Sequence, residues 1–170
     1  LLRASEYHVK WSFDRISRKV SDKINTCADK LNACVHEILR DRQFTKGSKN
    51  NIDWELTKQN IEYALYNGND IQSVIVGLPF KMPTILKCEN CKADLSEVGF
   101  LLQLYEFCQV LELLIKKYIA PDWTMKAKFL IVTDGQRFKD MIGIDDAEIS
   151  SYHQSINQWI KWLSLDCRIE

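Results

Sequence analysis

Four consecutive apolar residues, Phe129-Leu-Ile-Val132, end abruptly in Thr133-Asp134-Gly135, and few folds accommodate that pattern. A run this short, bounded by turn chemistry, fits a strand buried on both faces, as in a parallel sheet covered by helices. In such sheets the loops leaving the carboxyl ends of the strands line the ligand crevice. The segment that follows carries Arg137, Lys139 and Asp140 and closes on Gly143 and the Asp145-Asp146 pair. Chemistry is therefore expected between Asp134 and Asp146. Asp-Gly is also the commonest two-residue hairpin turn. A hairpin needs a second alternating strand, however, and Gln136-Arg-Phe-Lys-Asp-Met141 does not alternate cleanly.

An earlier run, Ile71 to Val76, is short and rich in β-formers, and it leads directly into Gly77-Leu-Pro-Phe-Lys-Met-Pro83. Its two prolines can continue neither a central strand nor a helix. Lys81 thus sits on a stiff, extended loop at a strand's carboxyl end. Asp94-Leu-Ser-Glu97 has the spacing of a capping box. It opens a long helix through Leu95, Val98, Leu102, Tyr105, Cys108, Leu111 and Ile115 to Tyr118, apolar on more than one face and so largely buried. Pro121-Asp-Trp123 turns the chain into the second strand, which completes a βαβ unit. A last helix follows, capped by Asp145 with Glu148 three residues on and striped by Ile149, Tyr152, Ile156, Trp159 and Leu163.

Upstream, residues 1–16 are weakly patterned, with Trp11 and Phe13 as candidate anchors. Val20, Ile24, Cys27, Leu31, Cys34, Val35 and Ile38 recur at helical spacing and predict an amphipathic helix of about five turns. Asp41 to Asn51 is polar and rich in turn formers, an exposed loop by composition. Asp53 caps a helix carrying Trp54, Ile61 and Leu65, which stops at Asn67-Gly68-Asn69.

At 170 residues the chain has enough material for a proper core. It is 46% hydrophobic and 27% charged, far from the disordered regime. Lys plus Arg equals Asp plus Glu at 23 each, so net charge gives no pull toward nucleic acid or membrane. Neither partner is expected. The start, Leu1-Leu-Arg-Ala-Ser-Glu6, lacks the apolar core of a signal peptide and no unbroken 18-residue apolar run is present, so a cytoplasmic location is expected. Cys88-Glu-Asn-Cys91 has zinc-knuckle spacing but no second ligand pair, and His8, His36 and His153 are scattered. No metal is expected. Cys27, Cys34 and Cys108 fall on apolar stripes and read as small core residues. The fold expected from these signals is α/β, a Rossmann-like parallel sheet with flanking helices. Its boundaries are an N-terminal helical segment at 1–52 and the α/β core at 53–170. Two strands are too few for an open sheet that holds a crevice, so either edge strands lie within the chain or, the favoured expectation, the remaining strands lie beyond residue 170.

Three pieces in order and at similar spacing, Gly77-Leu-Pro-Phe-Lys-Met-Pro83, Asp94-Leu-Ser-Glu97 and Val132-Thr-Asp-Gly-Gln-Arg-Phe-Lys-Asp-Met-Ile-Gly-Ile-Asp-Asp146, with Tyr152 beyond them, resemble one family. It is the isonitrile (isocyanide) synthases, together with the pyoverdine/paerucumarin-cluster and yeast dityrosine spore-wall biosynthesis proteins. The likeness spans roughly residues 60–155. Departures are Met82 where the pattern has Ser, Ala93 where it has Pro, and the Cys88–Cys91 insert. They bear on substrate more than on fold.

The resemblance implies a Rossmann-like core in a chain about twice this long, and an enzyme that converts the α-amino group of Tyr or Trp into an isonitrile with carbon from ribulose 5-phosphate. It implies no metal or redox cofactor for that step and an iron/2-oxoglutarate oxygenase acting next in the pathway. It leaves homo-oligomerisation open. The spore-wall branch makes an N-formyl tyrosine instead, and a non-catalytic interaction module on the same scaffold is a third reading. The reaction needs a cation for phosphate, an acid/base pair for imine formation and an apolar slot for the aromatic ring. Arg137 suits bidentate phosphate recognition, and Lys81 and Lys87 are nearby point charges. Asp134, beside Gly135, is the first candidate for acid/base work or for holding the substrate ammonium, with Asp140 second and Lys81 a candidate Schiff-base amine. Phe80 and Phe138 could flank the ring. Each has a plainer alternative: solvated lysines, a turn-forming Asp134, an Asp140 paired with Lys139 or Arg137, and a core Phe138.

Overall fold

The structure, a computed structural model, describes residues 2–20, 27–41, 53–76, 93, 95–132 and 144–169. In chain order the elements are α1 (Leu2–Ser17), α2 (Cys27–Arg40), α3 (Trp54–Asn67), β1 (Ile71–Val76), α4 (Leu95–Tyr118), β2 (Ala127–Val132) and α5 (Asp146–Trp162). They fall into two compact units, one of Leu1–Gln72 with Glu106–Lys128, the other of Ser73–Tyr105 with Phe129–Glu170.

The Rossmann-like parallel-sheet core expected from the sequence is not what forms. The fold is mostly helical, and among the described residues the named strands make one sheet of two, β1 beside β2. Nor are these strands covered on both faces. Along β2 buried residues alternate with half-buried ones, and Val74 and Val132 are exposed. The apolar run is thus a half-covered strand, and most of the buried apolar surface belongs to helices. The order of strand, helix and strand does follow the sequence reading. The Ile71 N–H donates to the Lys126 carbonyl at 2.9 Å, so the start of β1 lies beside the start of β2. Hydrogen-bonded neighbours aligned start to start run the same way. A single parallel bridge also joins Phe129 to Ile169.

In the first unit α2 packs on both α1 and α3. The stripe of α1 that turns inward is Val9, Ser12 and Ile16, continued by Val20. Ser12 donates to Glu106 Oε1 at 2.7 Å in a buried bond between α1 and α4. At the end of α1, Ser17 Oγ lies 2.8 Å from the Tyr118 hydroxyl and accepts from Lys117 Nζ at 2.6 Å. Trp11 is not an anchor. It is half exposed, with the Arg15 guanidinium 4.4 Å from its ring centroid. Asp41, expected at the start of an exposed loop, is instead buried and paired with Arg15 at 2.7 Å. Of the expected five-turn helix, Cys27–Arg40 is helical with Cys34, Val35 and Ile38 buried, Val20 lies just past the end of α1, and residues 21–26 lie outside the described residues. Burial pushes the Cys34 thiol up to about 12, as a core cysteine requires. Asp53 caps α3 by accepting from the Leu56 N–H, and Gly68 ends it with φ +65, where a side chain would be strained.

The second unit is built on the first turns of α4 and on α5, with Val98, Leu101, Leu104, Ile149, Ile156 and Ile160 buried. Among the described residues α4 alone is long and apolar enough to cross a membrane, a test that the core helix of a soluble domain also passes. Along it Val98, Leu101, Leu104, Cys108, Leu111 and Ile115 are buried.

Candidate functional site

The eight residues singled out from sequence, Lys81, Lys87, Phe80, Asp134, Gly135, Arg137, Phe138 and Asp140, all lie outside the described residues, as do Cys88, Cys91 and the capping residue Asp94. What the structure defines is the frame on which the segments carrying them are mounted.

Residues 77–92 follow directly on β1 and residues 133–143 directly on β2. Since the strands run side by side in the same direction, Val76 and Val132 hand the two segments off from the same end of the pair. The segments then finish on helices of the same unit. The first reaches Ala93 and the N-terminus of α4, the second Ile144 and the N-terminus of α5.

Side chains of α5 tie these two exits together. The Tyr152 hydroxyl donates to Glu97 Oε1 at 3.0 Å. One turn further along α5, Ser155 Oγ accepts the Ala93 N–H at 2.8 Å and donates to the Tyr152 carbonyl at 2.8 Å. Both ends of the Tyr152–Glu97 bond are sealed from water, with Tyr152 5% and Glu97 2% exposed. A buried carboxylate is stabilised only by such donors, and Ser96 Oγ supplies a second contact at 3.5 Å. The start of α5 is fixed independently by a complete capping box: the Glu148 N–H donates to Asp145 Oδ1 at 2.7 Å, and the Asp145 N–H donates to Glu148 Oε2 at 3.1 Å. Asp145 is therefore a helix cap.

Sequence reasoning had Glu97 as the partner of a helix cap and Tyr152 as one of a hydrophobic stripe, and Ser155 did not feature. The available signal was Tyr152-His-Gln-Ser155, two hydrogen-bonding groups three apart on an inward face. No cluster of three His, Cys, Asp or Glu side chains that could hold a metal occurs among the described residues.

A family model for pyoverdine/dityrosine biosynthesis proteins matches residues 61–170, which takes in both segments and every member of the frame. The chain belongs to the pyoverdine/dityrosine biosynthesis protein family. Among its relatives is an L-tyrosine isonitrile synthase of Xenorhabdus nematophila, 28% identical over 73% of this chain and 36% of the relative. An L-tryptophan isonitrile synthase of Fischerella ambigua is 26% identical over 64% of this chain and 30% of the relative. An L-tyrosine isonitrile synthase of Pseudomonas aeruginosa is 31% identical over 55% of this chain and 26% of the relative. The matches span about a third of the length of these family members. No solved structure matches the chain.

Proposed function

We propose that this chain carries part of an isonitrile synthase, acting on the α-amino group of an aromatic amino acid, Tyr or Trp, with ribulose 5-phosphate as the source of the added carbon. One observation carries the reading. Within the family-matched stretch, the two segments that hold the polar motif residues leave one end of a strand pair together and return to helices joined by the Tyr152–Glu97 bond.

In this reading Arg137 and Lys81 receive the sugar phosphate, Arg137 through two parallel N–H donors. Lys87 adds positive charge. Asp134 holds the substrate ammonium and then moves the proton during imine formation, with Asp140 as its partner in acid/base work. Phe80 and Phe138 border the aromatic ring, and Gly135 lets the backbone come close to the substrate. The reaction is placed in the cytoplasm, in keeping with two water-soluble substrates.

The test is incubation of the full-length protein with Tyr or Trp and ribulose 5-phosphate, followed by mass spectrometry. A product heavier by one carbon and lighter by two hydrogens supports the proposal. A product heavier by one carbon and one oxygen assigns the N-formyl chemistry named for the spore-wall branch. No product with either amino acid overturns the enzymatic reading.

A further inference from the structure

We infer that Tyr152 and Glu97 are a positioning pair, whose buried hydrogen bond fixes the N-terminus of α4 against α5 and thereby sets where both motif segments end. The inference deepens the proposed function and rests on it only for the statement that those segments carry the chemistry.

The pair is poorly explained as packing alone. Two apolar side chains of the same size would join α4 and α5 without removing a carboxyl group from water. A hydrogen bond adds direction. It is satisfied at one separation and one rotation of the helices, whereas apolar contact tolerates sliding. The location matters as much as the bond. Glu97 lies in the first turn of α4, immediately after the exit of residues 77–92. Tyr152 lies on the helix whose first turn receives residues 133–143. The Ser155–Ala93 bond repeats the connection one step closer to the segment itself. A change in the Tyr152–Glu97 distance would therefore move the exits of both segments relative to each other. Groups that act on one substrate from two loops lose rate steeply with displacements of about 1 Å. Neither residue is assigned contact with substrate.

The test uses Tyr152→Phe, which keeps the ring and removes the hydroxyl, and Glu97→Gln, which keeps an acceptor oxygen for it. Amide hydrogen exchange in the full-length protein is read at Ala93, along the first turns of α4 and α5, and in α3 as the control. Tyr152→Phe is expected to speed exchange at Ala93 and the two helix starts about tenfold and to leave α3 unchanged. In the turnover assay it is expected to lower kcat about tenfold with little change in KM, while the Glu97→Gln single variant retains most of the wild-type rate. Unchanged exchange at Ala93, or an equal rise in every helix, overturns the inference. So does a Glu97→Gln variant as impaired as Tyr152→Phe, because loss of the bond would then not be the cause. A wild-type protein inert toward both amino acids would sink the proposed function, whereas the exchange measurement would still judge the pair.

Discussion

The segment before the family-matched stretch is part of the folded unit, and a double-mutant cycle at Ser12 and Glu106 tests this quantitatively. The hydroxyl of Ser12, itself fully buried, donates to Glu106 Oε1 at 2.7 Å, where α1 meets α4. Ser12→Ala removes this donor and leaves a carboxylate that is only 8% exposed with one fewer partner. Losing one hydrogen bond to a buried polar group costs about 1–3 kcal/mol, toward the upper end when the group is charged. The deleted oxygen is small, so the cavity contribution is minor. Glu106→Leu removes one acceptor from a neutral hydroxyl and should cost less, about 1 kcal/mol. With both replaced, the penalty for an unmatched charge disappears, and the double variant should be more stable than the sum of the single losses by about 1–2 kcal/mol. In urea the Ser12→Ala midpoint should fall by roughly 0.5–1.5 M with m unchanged, since m in urea is about 1–3 kcal/mol/M. Strictly additive losses would refute the reasoning, because the two groups would then not be coupled. So would a Ser12→Ala midpoint equal to wild type.

Three further outcomes are expected. Asp134→Asn should lower turnover by about 100-fold or more if that carboxylate moves the proton, and full turnover by this variant would remove the main site assignment. The hydrogen bond from Lys128 to Asp70, supported by the Lys126 N–H, holds the Asp70 carboxyl below the usual carboxylate range. Its contribution to stability is thus complete above the unfolded-state carboxylate pKa and fades as pH falls through the lowered folded value. Tm against pH for Asp70→Asn should show a shallower acid limb, and the effect should be small because the side chain is 38% exposed. A maleimide reagent should label Cys167, which is exposed, and spare the buried Cys34 and Cys108 until the protein unfolds. Mass spectrometry of the native protein checks this, and early labelling of Cys34 would contradict its raised thiol pKa.

What the sequence revealed was local. Asp53, Gly68 and Asp145 mark helix ends through chemistry acting within three or four residues, and each does so in the structure. Ile71–Val76 is a strand with the expected bounds. Helix α1 is weakly patterned in sequence because Ser12 breaks its inward stripe, while Tyr7 and Trp11 put aromatic rings on the outer face. Its inward serine makes sense only with Glu106 in view, 94 residues away. The sheet was overestimated for a related reason. An apolar run discloses that a strand has somewhere to pack, but not how many strands accompany it, and here helices supply most of the cover. Glu97 is the instructive case for the site. Its spacing from Asp94, which lies outside the described residues, reads as a capping box, and its carboxyl group also accepts from Tyr152, 55 residues away. The motif residues themselves are legible only as chemistry in a pattern, and the frame that flanks them is legible only in three dimensions.

The most direct test of the central idea is ligand-induced hydrogen-exchange protection in the full-length protein. Tyrosine and ribulose 5-phosphate, added together, should slow exchange in peptides covering residues 77–92 and 133–143, with α2 unaffected. Protection of both segments is the predicted result, since both would border one bound pair of substrates. Protection of only one of them, or confined to other parts of the chain, would contradict a shared site.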